Sequence, residues 1–301
     1  MTTREPSSLV MGKDELLMDG KYLSTLREAN ELLDDAEALR ERMAEDGYLL
    51  IRGLHDPDKV AEARRVVLEN LQANDQIDPG YPLDLGVAAP GKRGAFFGGA
   101  KRVTHTDEFL AVVNSPEIMG FFERFLGGPV LTFDYKWLRA VGPGDNTGAH
   151  YDMVYMGRGT PNLYTVWTPL DDVTFDMGPL VILAGSHQFE AVKETYGQMD
   201  VDRDHVTGHF TNEPIEMVDQ YGGQWQTSEF RMGDAIVLGM YTMHGSVNNT
   251  SNRFRISTDT RYQLASEPVD HRWVGENPVA HYAWTEGKTV SMEEMRRKWK
   301  V

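Results

Sequence analysis

His150-Tyr151-Asp152, answered far downstream by His244, constrains this chain more than any other feature. Two histidines and one carboxylate are the ligand set with which a protein holds Fe(II) on one face of an octahedron, leaving the opposite face open for co-substrate and dioxygen. The spacing of the first two carries a physical reading. On a strand successive side chains point to opposite faces, so His150 and Asp152 project the same way while Tyr151 points away. A strand is therefore expected over His150–Met156. An H-x-D pair alone arises often by chance, and the downstream context is what gives it weight.

That context is Met243-His244-Gly245-Ser246 followed by Asn252-Arg253-Phe254-Arg255-Ile256-Ser257. The alternation from Phe254 to Tyr262 reads as a strand. It sets Arg255 and Ser257 on one face, where a guanidinium fork grips a carboxylate with two parallel hydrogen bonds and a hydroxyl adds a third. Such a pair suits the distal carboxylate of 2-oxoglutarate. Arg253 has the same parity and is the competing candidate.

With these residues in view the chain resembles the phytanoyl-CoA dioxygenase family of Fe(II)- and 2-oxoglutarate-dependent oxygenases. The resemblance rests on His150-Tyr151-Asp152, on Trp167 through Asp172, on Gly178-Pro179-Leu180 with Gly185-Ser186-His187, on Gly233-Asp234, on His244-Gly245-Ser246 and on Arg255-Ile256-Ser257. It spans roughly residues 130 to 263. It implies Fe(II) ligands at His150, Asp152 and His244, and 2-oxoglutarate held by Arg255 and Ser257. Trp167 and Ser246 would line the co-substrate pocket, and more loosely Thr132. The implied reaction consumes O2 and 2-oxoglutarate, releases succinate and CO2, and oxidises a substrate C–H bond.

The rest of the chain divides into three parts of one domain, 1–301. Residues 1–128 read as mainly helical, with helices over Leu26–Asp46, Pro57–Asn74 and Ser115–Phe125, a strand from Tyr48 to Arg52, and a Gly/Pro-rich loop or flap over Asp78–Ala100. Residues 129–265 carry short strand candidates separated by turns, at Leu131–Val141, His150–Met156, Asn162–Asp172, Leu180–Leu183, Glu229–Arg231, Ala235–Met240 and Arg253–Leu264. With His, Asp and Arg facing a shared interior, these predict a mainly β fold with flanking helices, a double-stranded β-helix of the cupin-like jelly-roll type. Between them Gln188–Gly223 reads as a long, helix-poor insert near the pocket mouth. The tail 266–301 ends in a helix opened by Ser291-x-x-Glu294.

Other candidates are weighed against bland accounts. His205 and His209 read as surface-loop histidines, because Gly208 and β-branched neighbours disfavour a helical metal pair. His187 follows a turn and takes no ligand role; His55, His105, His271 and His281 lack partners at ligand spacing. Arg93, Arg139 and Arg158 read as solvated charges near the pocket, with substrate contact the minority account. The 301 residues include no cysteine, which excludes thiolate chemistry and disulfides, and a formal charge of −16 argues against nucleic acid or an anionic membrane as partner. With no secretory or membrane-spanning segment in view, the chain is expected to be cytoplasmic and to act on a small-molecule substrate. Two competing classes are a metal-binding cupin-like metabolite sensor and a cupin enzyme that works without 2-oxoglutarate.

Overall fold

The computed structural model describes residues 8–97, 101–282 and 289–301. Thirteen strands run in chain order. The first five are β1 (Ser8–Met11), β2 (Asp14–Leu17), β3 (Leu23–Thr25), β4 (Tyr48–Ile51) and β5 (Gly94–Phe96). Then follow β6 (Val130–Thr132), β7 (Trp137–Val141), β8 (Tyr164–Pro169) and β9 (Leu180–Ala184). The last four are β10 (Gln224–Thr227), β11 (Ala235–Gly239), β12 (His244–Ser246) and β13 (Arg255–Leu264). A seven-stranded antiparallel sheet runs β4-β11-β8-β13-β7-β5, with β6 paired to β13, and it faces a four-stranded sheet in the order β12-β9-β10-β3. Two sheets closing on a common interior form the jelly roll, with helices packed on the outside of the larger one.

Alternation along the strands assigns the layers. In β8, Val166 joins the outer cluster under helix Pro116–Leu126, whereas Trp167 points inward to meet Leu180 and Ile182 of the opposite sheet. In β13, Ile256 packs outward beneath helices Pro57–Ala73 and Asp107–Val113. Tyr262 stacks on Phe122 at 4.5 Å between ring centroids. Helix Pro116–Leu126 starts where Ser115 accepts from the Ile118 amide, with proline in its first turn, and stops at Gly127 in the left-handed region, as its sequence indicates.

Several boundaries differ from the sequence reading. The helix expected over Leu26–Asp46 occupies only Ala36–Asp46, because Asp35 caps it by accepting from the Glu37 and Ala38 amides. Upstream, Asn30 spends its side chain on the Arg52 backbone instead of on a helix. The part taken as helical also begins with strands. β1 and β2 form a hairpin clamped by Asn248, whose amide side chain bonds both the N–H and the C=O of Gly12. The run Leu131–Val141 breaks into β6 and β7. Glu229–Arg231 contributes one bridge, Phe230 to Val173, and no strand.

The insert expected to be helix-poor contains helices Glu190–Lys193, Val201–Asp204 and Pro214–Tyr221. The last opens on a proline and buries Met217 and Val218 against Trp225 of β10. Ion pairs tie this insert to its surroundings: Arg272 of the tail binds both Asp202 and Asp270, and Arg158, between the short helix Met153–Met156 and β8, binds Asp200. Gly94–Phe96, inside the expected flap, is an edge strand on β7. The end of that flap, 98–100, lies outside the described residues. Among the described residues no helix is long and apolar enough to cross a membrane.

Two outcomes follow from this packing. His55 is buried with Nε2 on the Thr168 hydroxyl at 3.1 Å, and burial pushes its pKa down to about 4. The unfolded chain takes up that proton near pH 6.5, so the stability due to neutral His55 is complete above that pH. It is lost by up to about 1.4 kcal/mol per pH unit as the pH falls toward 4. Urea unfolding at pH 7, 6 and 5 should therefore show the stability gap between the parent and His55→Asn narrowing with acid. Gly47, at φ 81°, ends helix Ala36–Asp46, and a Cβ there would lie 2.5 Å from Nδ1 of His187. Gly47→Ala should cost about 1–2 kcal/mol from the backbone alone, read as a lower urea midpoint with unchanged slope.

Candidate active site

Within the barrel His150, Asp152 and His244 come together. One ligand atom from each lies within 4.8 Å of the others, and all three side chains are buried. His150 and His244 exchange backbone hydrogen bonds across the two ends of the roll, at 2.9 and 3.1 Å. The convergence of His150 with Asp152 arises otherwise than the sequence suggests. No strand runs over His150–Met156: after the bridge at His150 the chain turns, Asp152 sits in the right-handed helical region, and a short helix Met153–Met156 follows. The turn is compatible with the site because Asp152 is anchored by its side chain.

That anchoring leaves one carboxylate oxygen for the centre. Asp152 Oδ2 accepts from the Thr165 hydroxyl and from Arg261 Nη2 at 3.1 Å. Oδ1 faces His150 Nε2 at 3.8 Å and His244 Nε2 at 3.9 Å. Burial opposes ionisation of Asp152, but Arg261, with the Thr165 hydroxyl beside it, outweighs it and holds the carboxyl well below its usual range. Burial, reinforced by His244 and His209, keeps His150 neutral, far below its ordinary pKa.

The tautomers follow from the backbone. His150 Nδ1 lies 2.8 Å from the Gly148 carbonyl and His244 Nδ1 lies 2.9 Å from the Thr242 carbonyl. A carbonyl only accepts, so each Nδ1 carries the proton and each Nε2 turns a lone pair to the centre. Two neutral imidazole nitrogens and one free carboxylate oxygen, converging beside open space, fit Fe(II). Thr242 is itself fixed, its hydroxyl donating to the Gly47 carbonyl at 2.6 Å.

β13 builds the neighbouring compartment. Arg255 is 2% exposed, bonds Ser257 through Nη1, and leaves Nε without a partner. Among the described residues no carboxylate pairs with it. Burial pushes its pKa down to about 10, with Asp259 opposing and Arg139 adding to the shift. Its guanidinium stands 5.8 Å from the Trp167 ring. Arg255, Trp167 and Ser246 line a narrow cleft that also reaches His150, Asp152 and His244, and Ser246 accepts from the Thr147 amide at 2.8 Å. A dry cation with an unused donor, one cleft away from the metal residues, fits a dicarboxylate such as 2-oxoglutarate.

Arg253, the rival by parity, is engaged elsewhere, on Asp171 at 2.9 Å and on the Leu85 carbonyl. Parity does not distinguish it from Arg255, but position does: β13 begins at Arg255, and Arg253 lies before the strand. Thr132 does not reach the cleft. It lies on β6 and accepts from the buried Lys136 at 2.9 Å, because the chain breaks between β6 and β7 and carries Thr132 away from the inner face.

On the other side of the triad a cavity of about 410 Å³ opens. Here one expectation is extended and another corrected. His209 sits in an exposed loop, as expected, but its ring also lines the cavity, 5.4 Å from that of His150. Arg139 is only a third exposed, binds Asp259 at 3.2 Å and faces the cavity. Sequence reasoning missed Arg261 altogether. The signal was there, since Arg261 shares parity with Arg255 and Ser257, but nothing in the residue string indicates that it would meet Asp152.

Comparison with known proteins agrees with this geometry. Residues 43–257 match the family described as phytanoyl-CoA dioxygenase (PhyH). The chain is 30% identical over 259 residues to a 1-deoxypentalenic acid 11-beta-hydroxylase of Streptomyces exfoliatus, covering 81% of this chain and 87% of that one. It is 30% identical over 179 residues to an L-proline trans-4-hydroxylase of Streptomyces griseoviridis, covering 55% and 66% respectively. Among solved structures, the epimerase SnoN in complex with Fe3+, alpha ketoglutarate and nogalamycin RO shares the fold at a TM-score of 0.57 and 19% identity, over 85% of this chain and 93% of that one. The coverage of the family match and the convergence of the metal residues lead to one conclusion: the chain belongs to the phytanoyl-CoA dioxygenase family of non-haem Fe(II)- and 2-oxoglutarate-dependent oxygenases.

Proposed function

We propose that the chain hydroxylates a C–H bond of a small organic metabolite, with Fe(II) on His150, Asp152 and His244 and the distal carboxylate of 2-oxoglutarate on Arg255 and Ser257. The observation that carries this reading is Arg255, a buried cation with no acidic partner beside three converging ligand atoms. Bound Fe(II) with 2-oxoglutarate and O2 supplies the oxidising chemistry, with succinate and CO2 as co-products. The protein supplies orientation and exclusion of water. The Gly148 and Thr242 carbonyls hold both imidazoles in the metal-binding tautomer. Thr165 and Arg261 restrict Asp152 to a single ligating oxygen. Trp167 and Ser246 wall the co-substrate in, and the cavity on the far side receives the substrate.

The three parts of residues 1–301 act together on this reading, the barrel holding the metal and the insert and tail shaping the cavity. The relatives named as hydroxylases of 1-deoxypentalenic acid and L-proline support a small-molecule substrate. No observation favours a sensor or a 2-oxoglutarate-independent enzyme, since neither accounts for Arg255.

Two measurements test the assignment. Anaerobic addition of Fe(II) and 2-oxoglutarate should give the weak visible charge-transfer band of the chelate, and His244→Ala should abolish it while far-ultraviolet circular dichroism stays native. Retention of the band and of succinate formation in that variant would overturn the metal assignment. Arg255→Ala should raise the KM for 2-oxoglutarate at least about 30-fold, since removing one partner of a buried charged pair costs roughly 2–5 kcal/mol. Lysine at this position should restore only part of the loss, having charge without the planar fork. Metal affinity should be nearly unchanged in both variants.

A further inference from the structure

We infer that the substrate is an amphipathic carboxylic acid whose carboxylate is gripped by Arg139 and His209, with its apolar body against Phe96, Trp137 and Tyr155. The inference rests on the oxygenase reading of the site and adds to it the chemical class of the substrate.

Arg139 belongs to β7, at the register position opposite Ser257 of β13. Its Nε is committed to Asp259 at 3.2 Å. The two terminal nitrogens make no hydrogen bond to the described residues, and the side chain, one third exposed, lines the cavity at its junction with the narrow cleft of Arg255. The guanidinium is held from one face by Phe96, 5.0 Å away. One edge fixed by a carboxylate and one face covered by a ring leave a pre-aimed pair of donors. That is the arrangement which reads a planar anion, and little side-chain entropy is left to lose on binding.

His209 supplies the second group. Neither of its ring nitrogens is hydrogen-bonded to a described residue, although the ring is packed beside Gly148 and His150. It comes from the insert, whereas Arg139 comes from the barrel, so the two reach the cavity from different elements. Polar side chains left without partners at the wall of an otherwise aromatic cavity are the expected mark of an orienting contact to a ligand.

The charge around the cavity points to the sign of that ligand. Among the described residues Asp152 is the one acid lining this cavity, and it is already paired with Arg261. Arg139 is likewise paired with Asp259 through one edge, so what the wall offers a ligand is the pair of charged terminal N–H donors that Arg139 leaves free, which suits an anion and not a cation. The walls set the remainder of the molecule. The ring of Trp137, the half-buried Tyr155 and the exposed Phe96 at the rim offer faces for an apolar body, with few donors for a polyol or a sugar.

Matched probes test this directly on the full chain. The Fe(II)–2-oxoglutarate complex is prepared anaerobically and titrated with decanoate, cyclohexanecarboxylate and L-proline, each against its methyl ester. The readouts are the shift of the visible band and ligand-observed magnetic resonance. At least one acid should bind, and bind at least tenfold more tightly than its ester. Arg139→Lys, which keeps the charge beside Asp259 but loses the fork, should cut that preference severalfold. His209→Phe should reduce it less, and neither should alter ester affinity much. Esters binding as well as acids, or no acid binding at all, would overturn the inference. So would an Arg139→Lys variant that weakened the 2-oxoglutarate chelate while keeping the preference, which would assign Arg139 to the co-substrate. Failure of the chelate to form in the parent protein is a separate result, and it would sink the oxygenase reading itself.

Discussion

The antiparallel pairing of β13 between β7 and β8 is the constraint on which the rest of the structure hangs. Because the side-chain period of a strand is two, this register commits Arg255, Ser257, Asp259 and Arg261 to one face, and Ile256 to the other. The inner face thereby carries a row of charge through the middle of the barrel. Arg255 and Ser257 serve one compartment, Asp259 steadies Arg139, and Arg261 holds the metal carboxylate. A slip of one residue would turn the whole row toward the helices that cover the outer face. The stacking of Tyr262 on Phe122 and the burial of Ile256 oppose such a slip by fixing the outer face equally firmly.

Much of this was legible in the residue string, and what was not has identifiable causes. Caps and stops written in single residues, such as Ser115 and Gly127, show where a helix begins and ends because their action is local. The alternation from Phe254 to Tyr262 indicates β13 for the same reason. The three-residue β12, by contrast, exists only because β9 lies beside it, and β3 only because β10 does. Neither has a run long enough to show a period. The turn at Asp152 was hidden because H-x-D spacing reads naturally as a strand. The side chain there is held by Thr165, on the next strand, and by Arg261, 109 residues away in sequence. The cavity roles of His209, in an exposed loop, and of Arg139, on β7, were hidden for the mirror-image reason: such residues look merely solvated until the insert and the barrel are brought together.

The site separates its two small molecules by direction. The narrow cleft behind the triad, the proposed co-substrate site, is lined largely from the ladder-bonded strands β7, β8, β9, β12 and β13, which suits a molecule of fixed size. The wider cavity in front is bounded by the edge strand β5, the insert and the tail, segments joined by ion pairs more than by sheet ladders. Rigid elements thus hold the invariant partner of the reaction, and the parts most open to change in length and composition hold the variable one.

The unmatched guanidinium of Arg255 has a consequence for the protein's persistence as well as for its chemistry. A buried cation without a counter-ion costs several kcal/mol of folding free energy, which the rest of the barrel must offset. A dicarboxylate that docks there binds the folded chain and not the unfolded one, so it raises thermal resistance in proportion to the logarithm of its concentration. On the proposed assignment of Arg255, 2-oxoglutarate therefore acts as a folding ligand as well as a co-substrate, and the folded chain is easier to unfold without it.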